Sequence, residues 1–460
     1  MLRRAGEDRA VTPPPPKPRP PLPDGPFLVV GLARSGSAVA RLLAERGERV
    51  RGVDAGHPDD AERLAEVGVE VLLNADGTEL LDGVKTVVKS PGVPNDAAAI
   101  AAARERGIDV IGELELAWRA IPNRFVAVTG TNGKTTTTEL IGELYRAAGE
   151  PVAAAGNVGT PLASLAEELD PAATVICECS SFQLEDADAF APECAVFLNL
   201  APDHLDRHPT REEYLAAKLR IFARQGNDDI AVFNGDEPAL AGRDLGGCAR
   251  RVRFCSGADP DCEVSFSQGT IFWDGEPLIE ASELKLTGDH NVHNAMAAAA
   301  AAMTMGLDPD AVREGLRSFA GLRHRLELVA ELDGVRFFND SKATNVSAAV
   351  AALESFDGGV HAILGGRPKG ESFAPLVERV RERCAACYLI GEAAEAIGTA
   401  LRSASVPLHH CDDLDDAVAR AAAAAAPGEV VLLSPACASF DAYRDFEQRG
   451  DAFRTAVEGL

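Results

Sequence analysis

The chain has 460 residues, 46% of them hydrophobic and 25% charged, which is ordinary globular composition on a chain too long for one core, so roughly two to four domains are expected. Its formal net charge of -26, from 71 acidic against 45 basic residues, disfavours long-range attraction to nucleic acid or anionic lipid. Any phosphate ligand must therefore meet a local positive site.

In chain order, the charged stretch at Met1 to Ala10 has no apolar segment behind it, which argues against a secretory signal. Residues 1–26 include Pro13-Pro-Pro-Pro16 and further prolines, a composition that favours extended polyproline II, and they are expected to form a disordered tail. A β-α-β unit follows: an apolar strand at Phe27 to Val30, a helix opening after Gly31-Leu-Ala-Arg-Ser-Gly36, and a second strand ending at Asp54. Alternating strands and helices continue to Trp118, and Lys85 to Gly92 looks like a strand running into a turn whose backbone faces a ligand. Residues 27–118 are thus a first αβ domain. A second, 119–321, opens on the strand Phe125 to Val128, and holds a helix from Thr135, a helix at Arg211 to Phe222 and an alanine-rich helix from Asn291 to Met305. Gly321 is either a linker glycine or a helix cap. A third αβ domain, 322–460, carries strands at His361 to Leu364, Tyr388 to Ile390 and Val430 to Leu433.

No run approaches the roughly 18 apolar residues of a membrane span. Ten cysteines sit singly or in close pairs such as Cys177/Cys179, without the even framework of a small secreted domain, so a reducing cytoplasm is the expected compartment. Cys384-x-x-Cys387 lacks a second ligand pair of matching spacing and reads as buried thiols more than as a zinc site.

The chemistry concentrates in Thr129-Gly-Thr-Asn-Gly-Lys-Thr135, between a strand and a helix. Its amides and the helix N-terminus point at one anion, Lys134 adds charge, and Thr135 offers a metal-ligating hydroxyl. The glycine usual six residues before the lysine is Val128 here, so the loop is a shorter variant. Glu178 ends a buried strand where phosphate-loop folds place a carboxylate for magnesium. Asn199-Leu-Ala-Pro-Asp203-His204-Leu-Asp206-Arg207-His208 packs donors, acceptors and imidazoles onto one strand-to-helix loop, as a site contacting substrate and metal requires.

Together Gly130 to Thr135, the Glu178 segment and Asp203-His-Leu-Asp-Arg207 resemble the Mur ligases of peptidoglycan synthesis, over essentially Phe27 to the C-terminus. Cys179 to Glu185, Asp340-Ser-Lys-Ala-Thr-Asn345 and Leu433 to Asp441 resemble the branch that adds D-glutamate to UDP-N-acetylmuramoyl-L-alanine. The resemblance implies a Rossmann-like N-terminal domain, a central P-loop ATPase-like domain and a Rossmann-like C-terminal domain, in a cytoplasmic monomer using ATP and two magnesium ions. It implies that Gly130, Thr131, Asn132, Gly133, Lys134, Thr135 and Thr136 bind ATP, with Asn291, Arg325 and Asp340. Thr135, Glu178, His204 and Lys218 would serve the metals, Lys218 as a carbamate, since an ammonium repels a cation and a carbamate supplies anionic oxygen. Lys134, Glu178, His204 and Lys218 are the implied catalytic set. Arg34, Ser35 and Asp54 would serve the uridine diphosphate, Asn157 and His204 the muramoyl substrate, and Lys342, Thr344, Lys369, Ser439, Phe440 and Phe446 the D-glutamate pocket. His324 falls in the implied segment that meets the nucleotide.

Other readings compete at single positions. Asn291 is also a natural helix cap, and Lys369 sits in a turn that suits a solvated loop. Gly31-x-Ala33-x-x-Gly36 followed by Asp54 imitates a dinucleotide fingerprint with one glycine replaced. An NAD-dependent oxidoreductase built on the first domain and a non-enzymatic nucleotide switch built on the second are the rivals, and neither uses the third domain's motifs. Within the ligases, siblings that add L-alanine or extend folate with glutamate are the nearest alternatives.

Overall fold

The computed structural model describes residues 13–58, 61–157, 160–203, 207–257, 259, 261–286, 288–321 and 323–460. Three sheets organise them, and the chain divides into two compact units.

The first unit comprises Met1–Leu200, Arg211–Glu283 and Asn294–Ser318. It contains a five-stranded parallel sheet in the order Glu70–Leu73, Val50–Asp54, Phe27–Val30, Thr86–Lys89, Asp109–Gly112. Phe27–Val30 and Thr86–Lys89 are buried along their whole length, as central strands covered by helices on both faces must be. The first domain's ligand-facing loops therefore leave the carboxyl ends of these strands, on either side of the point where strand order reverses.

A nine-stranded sheet follows, with Phe125–Thr129 between Cys194–Phe197 and Thr174–Glu178. Its parallel core continues outwards through Ile230–Asn234 and Arg250–Ser256, and ends in the antiparallel ribbon Thr270–Trp273 and Glu276–Glu280. The two sheets share one apolar core through the helix Glu113–Ala120, where Trp118 and Phe125 both meet the edge of Phe190.

One expectation needs correction. The proline-rich segment is tied down from Lys17 onwards. Arg19 pairs with Glu193 at 3.0 Å with both side chains buried, and its guanidinium lies 4.6 Å from the Trp118 ring centroid. Lys17 pairs with Asp229 at 2.6 Å. Prolines prevent ladder pairing but leave an extended strap whose basic side chains reach acidic partners on the folded surface. The cysteines lack the even framework of a small secreted domain, and among them Cys255 and Cys262 form a local disulfide across a Cα separation of 6.1 Å, seven residues apart, between the parallel strands Arg250–Ser256 and Val264–Ser267.

The second unit comprises Ala201–Thr210, Leu284–His293 and Phe319–Leu460. Its six-stranded sheet runs Glu327–Leu332, Val335–Asn339, Val430–Leu433, Val360–Gly365, Cys384–Ile390, Leu408–His410, parallel except for its first pair. Both Cys384 and Cys387 lie on a strand, with Cys387 buried. No helix among the described residues is long and apolar enough to cross a membrane.

Candidate functional site

The phosphate loop is built from two glycines and an asparagine clamp. Gly133 adopts φ 83° and caps the helix Lys134–Ala147, and a Cβ there would lie 2.3 Å from Oδ1 of Asn294, so only glycine fits the turn. Asn199, one residue beyond the end of a neighbouring strand's apolar run, accepts from the amides of Thr131 and Asn132 through its Oδ1 and donates through Nδ2 to the carbonyl of Asn132. The loop is thereby held open for an anion at the helix N-terminus. Lys134 Nζ donates to the carbonyls of Gly130 and Thr131 at 2.9 and 2.7 Å. Thr136 is buried one turn into the helix.

Thr135 Oγ1 donates to Glu178 Oε2 at 2.6 Å, and Asn157 Nδ2 donates to Glu178 Oε1 at 3.0 Å. Glu178 is buried at the end of its strand. The close approach depends on Gly156, at φ 122°, where a Cβ would lie 2.3 Å from the Glu178 carbonyl oxygen. A hydroxyl and a carboxylate within hydrogen-bond distance of each other, beside a phosphate loop, form the hard oxygen donor set that suits magnesium. Lys218, on the helix Arg211–Ala223, is 1% exposed, and its Nζ donates to Gly130 O of the loop at 2.7 Å and lies 4.5 Å from the Tyr214 ring centroid. His204 lies outside the described residues.

Beside this centre is a cavity of about 430 Å³ lined by Ala33, Arg34, Ser35, Asp54, Asn157, Gln183 and the Ser90-Pro-Gly-Val93 turn, among others. Arg34 and Ser35 open the first helix of the N-terminal sheet. Asp54 is spent on the cavity wall: Oδ2 accepts from the Leu32 amide at 2.7 Å and Oδ1 from the Gly56 amide at 2.8 Å. Ser90 Oγ donates to the Gly31 carbonyl. Gln183 is fixed by a capping box with Ser180, and its Nε2 reaches Glu113 Oε2 at 3.5 Å. Glu113 is fully buried, and desolvation raises its carboxyl to about 7 against the Gln183 hydrogen bond and the Ala163 and Leu162 backbone amides.

In the second unit, Asp340 follows the strand Val335–Asn339, with Oδ1 accepting from the Leu326 amide and Oδ2 from Ser434 Oγ. Burial raises its carboxyl to about 7, opposed first by the Arg325 guanidinium. Asn291 is buried in the first turn of the helix Asp289–Thr304, and burial, helped by Arg325, lowers the neighbouring His290 to about 4. The residues expected at the amino-acid pocket fall into two contacts: Lys342 Nζ lies 5.0 Å from the Phe446 ring centroid, and Lys369 Nζ donates to Thr344 Oγ1 at 3.3 Å. Ser439 is buried and Phe440 exposed, on a loop whose Ala438 exchanges both backbone hydrogen bonds with Arg367. Asn345 Nδ2 donates to Asp203 Oδ2 at 3.0 Å.

Family models match three consecutive stretches: a Mur ligase MurD-like N-terminal domain over residues 26–112, a Mur ligase middle domain over 128–302, and a Mur ligase glutamate ligase domain over 324–437. The chain belongs to the Mur ligase family. Among similar Mur ligases is a UDP-N-acetylmuramoylalanine--D-glutamate ligase of Pelotomaculum thermopropionicum, 43% identical over 442 residues that cover 94% of this chain and 97% of that one. An enzyme of the same name from Geobacillus kaustophilus is 40% identical with the same coverage. Two Mur ligase crystal structures from Thermotoga maritima share the fold. The UDP-N-acetylmuramate-alanine ligase has a TM-score of 0.62 at 18% identity, covering 94% of this chain and 99% of its own. MurF ligase in complex with ADP has a TM-score of 0.58 at 19% identity, covering 89% and 95%.

Sequence reasoning passed over Asn199, Asn294, Ser90 and Gln183 as individual site residues. Asn294 was detectable from its spacing of three after Asn291, which places two amides near one helix start. Thr137 Oγ1 donates to it at 3.3 Å.

Proposed function

We propose that this Mur ligase couples ATP cleavage to the joining of D-glutamate to UDP-N-acetylmuramoyl-L-alanine, in the making of peptidoglycan precursors. The observation that carries the reading is 40–43% identity, across 94% of the chain, to enzymes bearing that activity in their name.

In this reading the uridine nucleotide occupies the cavity walled by Arg34, Ser35 and Asp54, with its lactoyl-alanine end towards Asn157 and Glu178. The alanine carboxylate oxygen attacks the γ-phosphorus of ATP, the bond from that phosphorus to the β-γ bridging oxygen breaks, and ADP leaves. The loop amides, fixed by Asn199, and the Lys134 ammonium stabilise the charge gathering on the phosphoryl oxygens. Thr135, Glu178 and a carbamylated Lys218, with His204, would hold magnesium, which supplies charge neutralisation at the phosphates. The resulting acyl phosphate is attacked by the D-glutamate amine. A C–N bond forms, the tetrahedral intermediate expels phosphate, and the amine loses a proton. Lys342 and Lys369 offer cations for the two carboxylates of that amino acid, Thr344 orients Lys369, and Phe446 stacks below Lys342. The same reading makes 27–118, 119–321 and 322–460 the nucleotide-substrate, ATP and amino-acid domains of a monomer.

The test is an omission experiment. With ATP and UDP-N-acetylmuramoyl-L-alanine but no D-glutamate, hydroxylamine should trap an acyl hydroxamate, and with D-glutamate added the dipeptide nucleotide should form in equal amount to ADP. Absence of both products overturns the assignment.

A further inference from the structure

Arg449, on the helix Phe446–Glu458, is 1% exposed and is among the largest fully buried side chains. Its Nε donates to Ser341 Oγ at 3.0 Å, and Nη2 donates to the Ser341 carbonyl at 2.8 Å. Nη1 donates to the carbonyls of Cys437 and Ala438 at 3.2 Å each, and Nη2 again to Cys437 at 3.2 Å. Ser341 Oγ in turn donates to the Phe446 carbonyl at 2.8 Å. One planar guanidinium thus holds two loops that are remote in sequence.

Among the described residues no carboxylate forms an ion pair with this cation. Carbonyl dipoles solvate it, while desolvation lowers its pKa to about 10, with Asp441 opposing. A charge buried at that cost gives less stability than apolar side chains of the same volume would. What a rigid fork of five N–H donors supplies instead is fixed geometry at the backbone atoms it touches. The geometry is demanding here, because Ala436 sits at φ 59°, a left-handed conformation that a Cβ disfavours and that persists only when its surroundings enforce it.

The clamped atoms flank the amino-acid pocket. Ser341 lies between Asp340 and Lys342, Cys437 and Ala438 precede Ser439, and Phe446 begins the helix that carries Arg449. Ala438 also exchanges hydrogen bonds of 2.9 and 3.0 Å with Arg367, two residues before Lys369. We propose that Arg449 is a positioning residue for the acceptor amino acid, setting the separation between the Lys342 ammonium and the Ser439 hydroxyl by clamping the backbone behind both. The proposal rests on the D-glutamate reading of this pocket.

The experiment compares Arg449→Lys, Ser341→Ala and Ser439→Ala with the parent enzyme, measuring the KM of D-glutamate, of ATP and of UDP-N-acetylmuramoyl-L-alanine, with a melting temperature for each. An ammonium cannot serve three carbonyls and a hydroxyl in one plane. Arg449→Lys should therefore raise the D-glutamate KM about tenfold or more, the scale of a modest misplacement of a binding group, with the other two KM values unchanged. Should Arg449→Lys fail to fold, Ser341→Ala removes one clamped oxygen and should raise the same KM by a smaller factor. A D-glutamate KM unmoved in the folded clamp variants while Ser439→Ala raises it overturns the positioning role alone. A D-glutamate KM unmoved by Ser439→Ala overturns the pocket reading itself.

Discussion

The ammonium of Lys218 donates to the carbonyl of Gly130 at 2.7 Å, so a buried lysine on the helix Arg211–Ala223 touches the first glycine of the phosphate loop. In the proposed magnesium-ATP centre of Thr135 and Glu178 a cation there would be badly matched, and a carbamate would correct the charge. Lys218→Ala should be folded and nearly inactive, with turnover partly restored by added acetate and not by added amines. Intact-protein mass spectrometry in bicarbonate should show the carbon dioxide adduct in the parent and lose it in the variant. Parental activity without rescue contradicts the carbamate.

Asp54 spends both carboxylate oxygens on the amides of Leu32 and Gly56, so it shapes the wall of the cavity proposed for the uridine nucleotide. Leaving two amides without their acceptor costs roughly 1–3 kcal/mol. Asp54→Ala should raise the KM of the uridine substrate roughly tenfold, a change of about 1.4 kcal/mol, and leave that of ATP unchanged. Arg34→Ala should act in the same direction. Equal effects on both substrates would contradict the division of labour between the cavity and the phosphate loop.

Glu113 carries the clearest pH signature of the first unit. Its folded carboxyl is raised from 4.5 to about 7 by burial, so the folded state binds the proton more tightly than the unfolded chain does. The stabilising contribution is complete below pH 4.5, is lost as pH rises to about 7, and changes no further above that. At about 1.36 kcal/mol per pH unit the loss is roughly 3 kcal/mol. Glu113→Gln, which keeps the shape and cannot ionise, should flatten this part of the stability profile in urea titrations at several pH values. A variant whose profile parallels the parent's would show that Glu113 is not the titrating group.

Arg19 and Glu193 form a buried pair, and Glu193 also accepts from the Phe125 amide at 2.8 Å. Arg19→Ala leaves that carboxylate buried without its cation, a loss of about 3 kcal/mol or more. Thermal denaturation should show a clearly lowered melting temperature with kcat nearly intact when assayed cold. An unchanged melting temperature would mean that the Arg19–Glu193 pair contributes nothing to the fold.

Local pattern explains why so much was legible beforehand. The strand–loop–helix around Gly130 to Thr135 announces itself because amides, a lysine and a threonine must follow one another for a phosphate to bind, and the helix Lys134–Ala147 begins within a residue of its expected start. The strand ending at Glu178 was readable from its apolar run. The strap was not, because Arg19 finds Glu193 at a sequence separation of 174, and proline content reports only what the backbone cannot do. The clamping role of Asn199 escaped for the same reason: its hold on Thr131 and Asn132 is a tertiary contact with no local periodicity. Cys255 and Cys262 are brought within a Cα separation of 6.1 Å, which no count of cysteines reveals.

The central claim is tested most directly by phosphate release from ATP in the presence of UDP-N-acetylmuramoyl-L-alanine and, one at a time, D-glutamate, L-glutamate, L-alanine and glycine. The account predicts rapid release and stoichiometric dipeptide nucleotide with D-glutamate, and little with the others. No release with D-glutamate, or faster product formation with another amino acid of the panel, would contradict it.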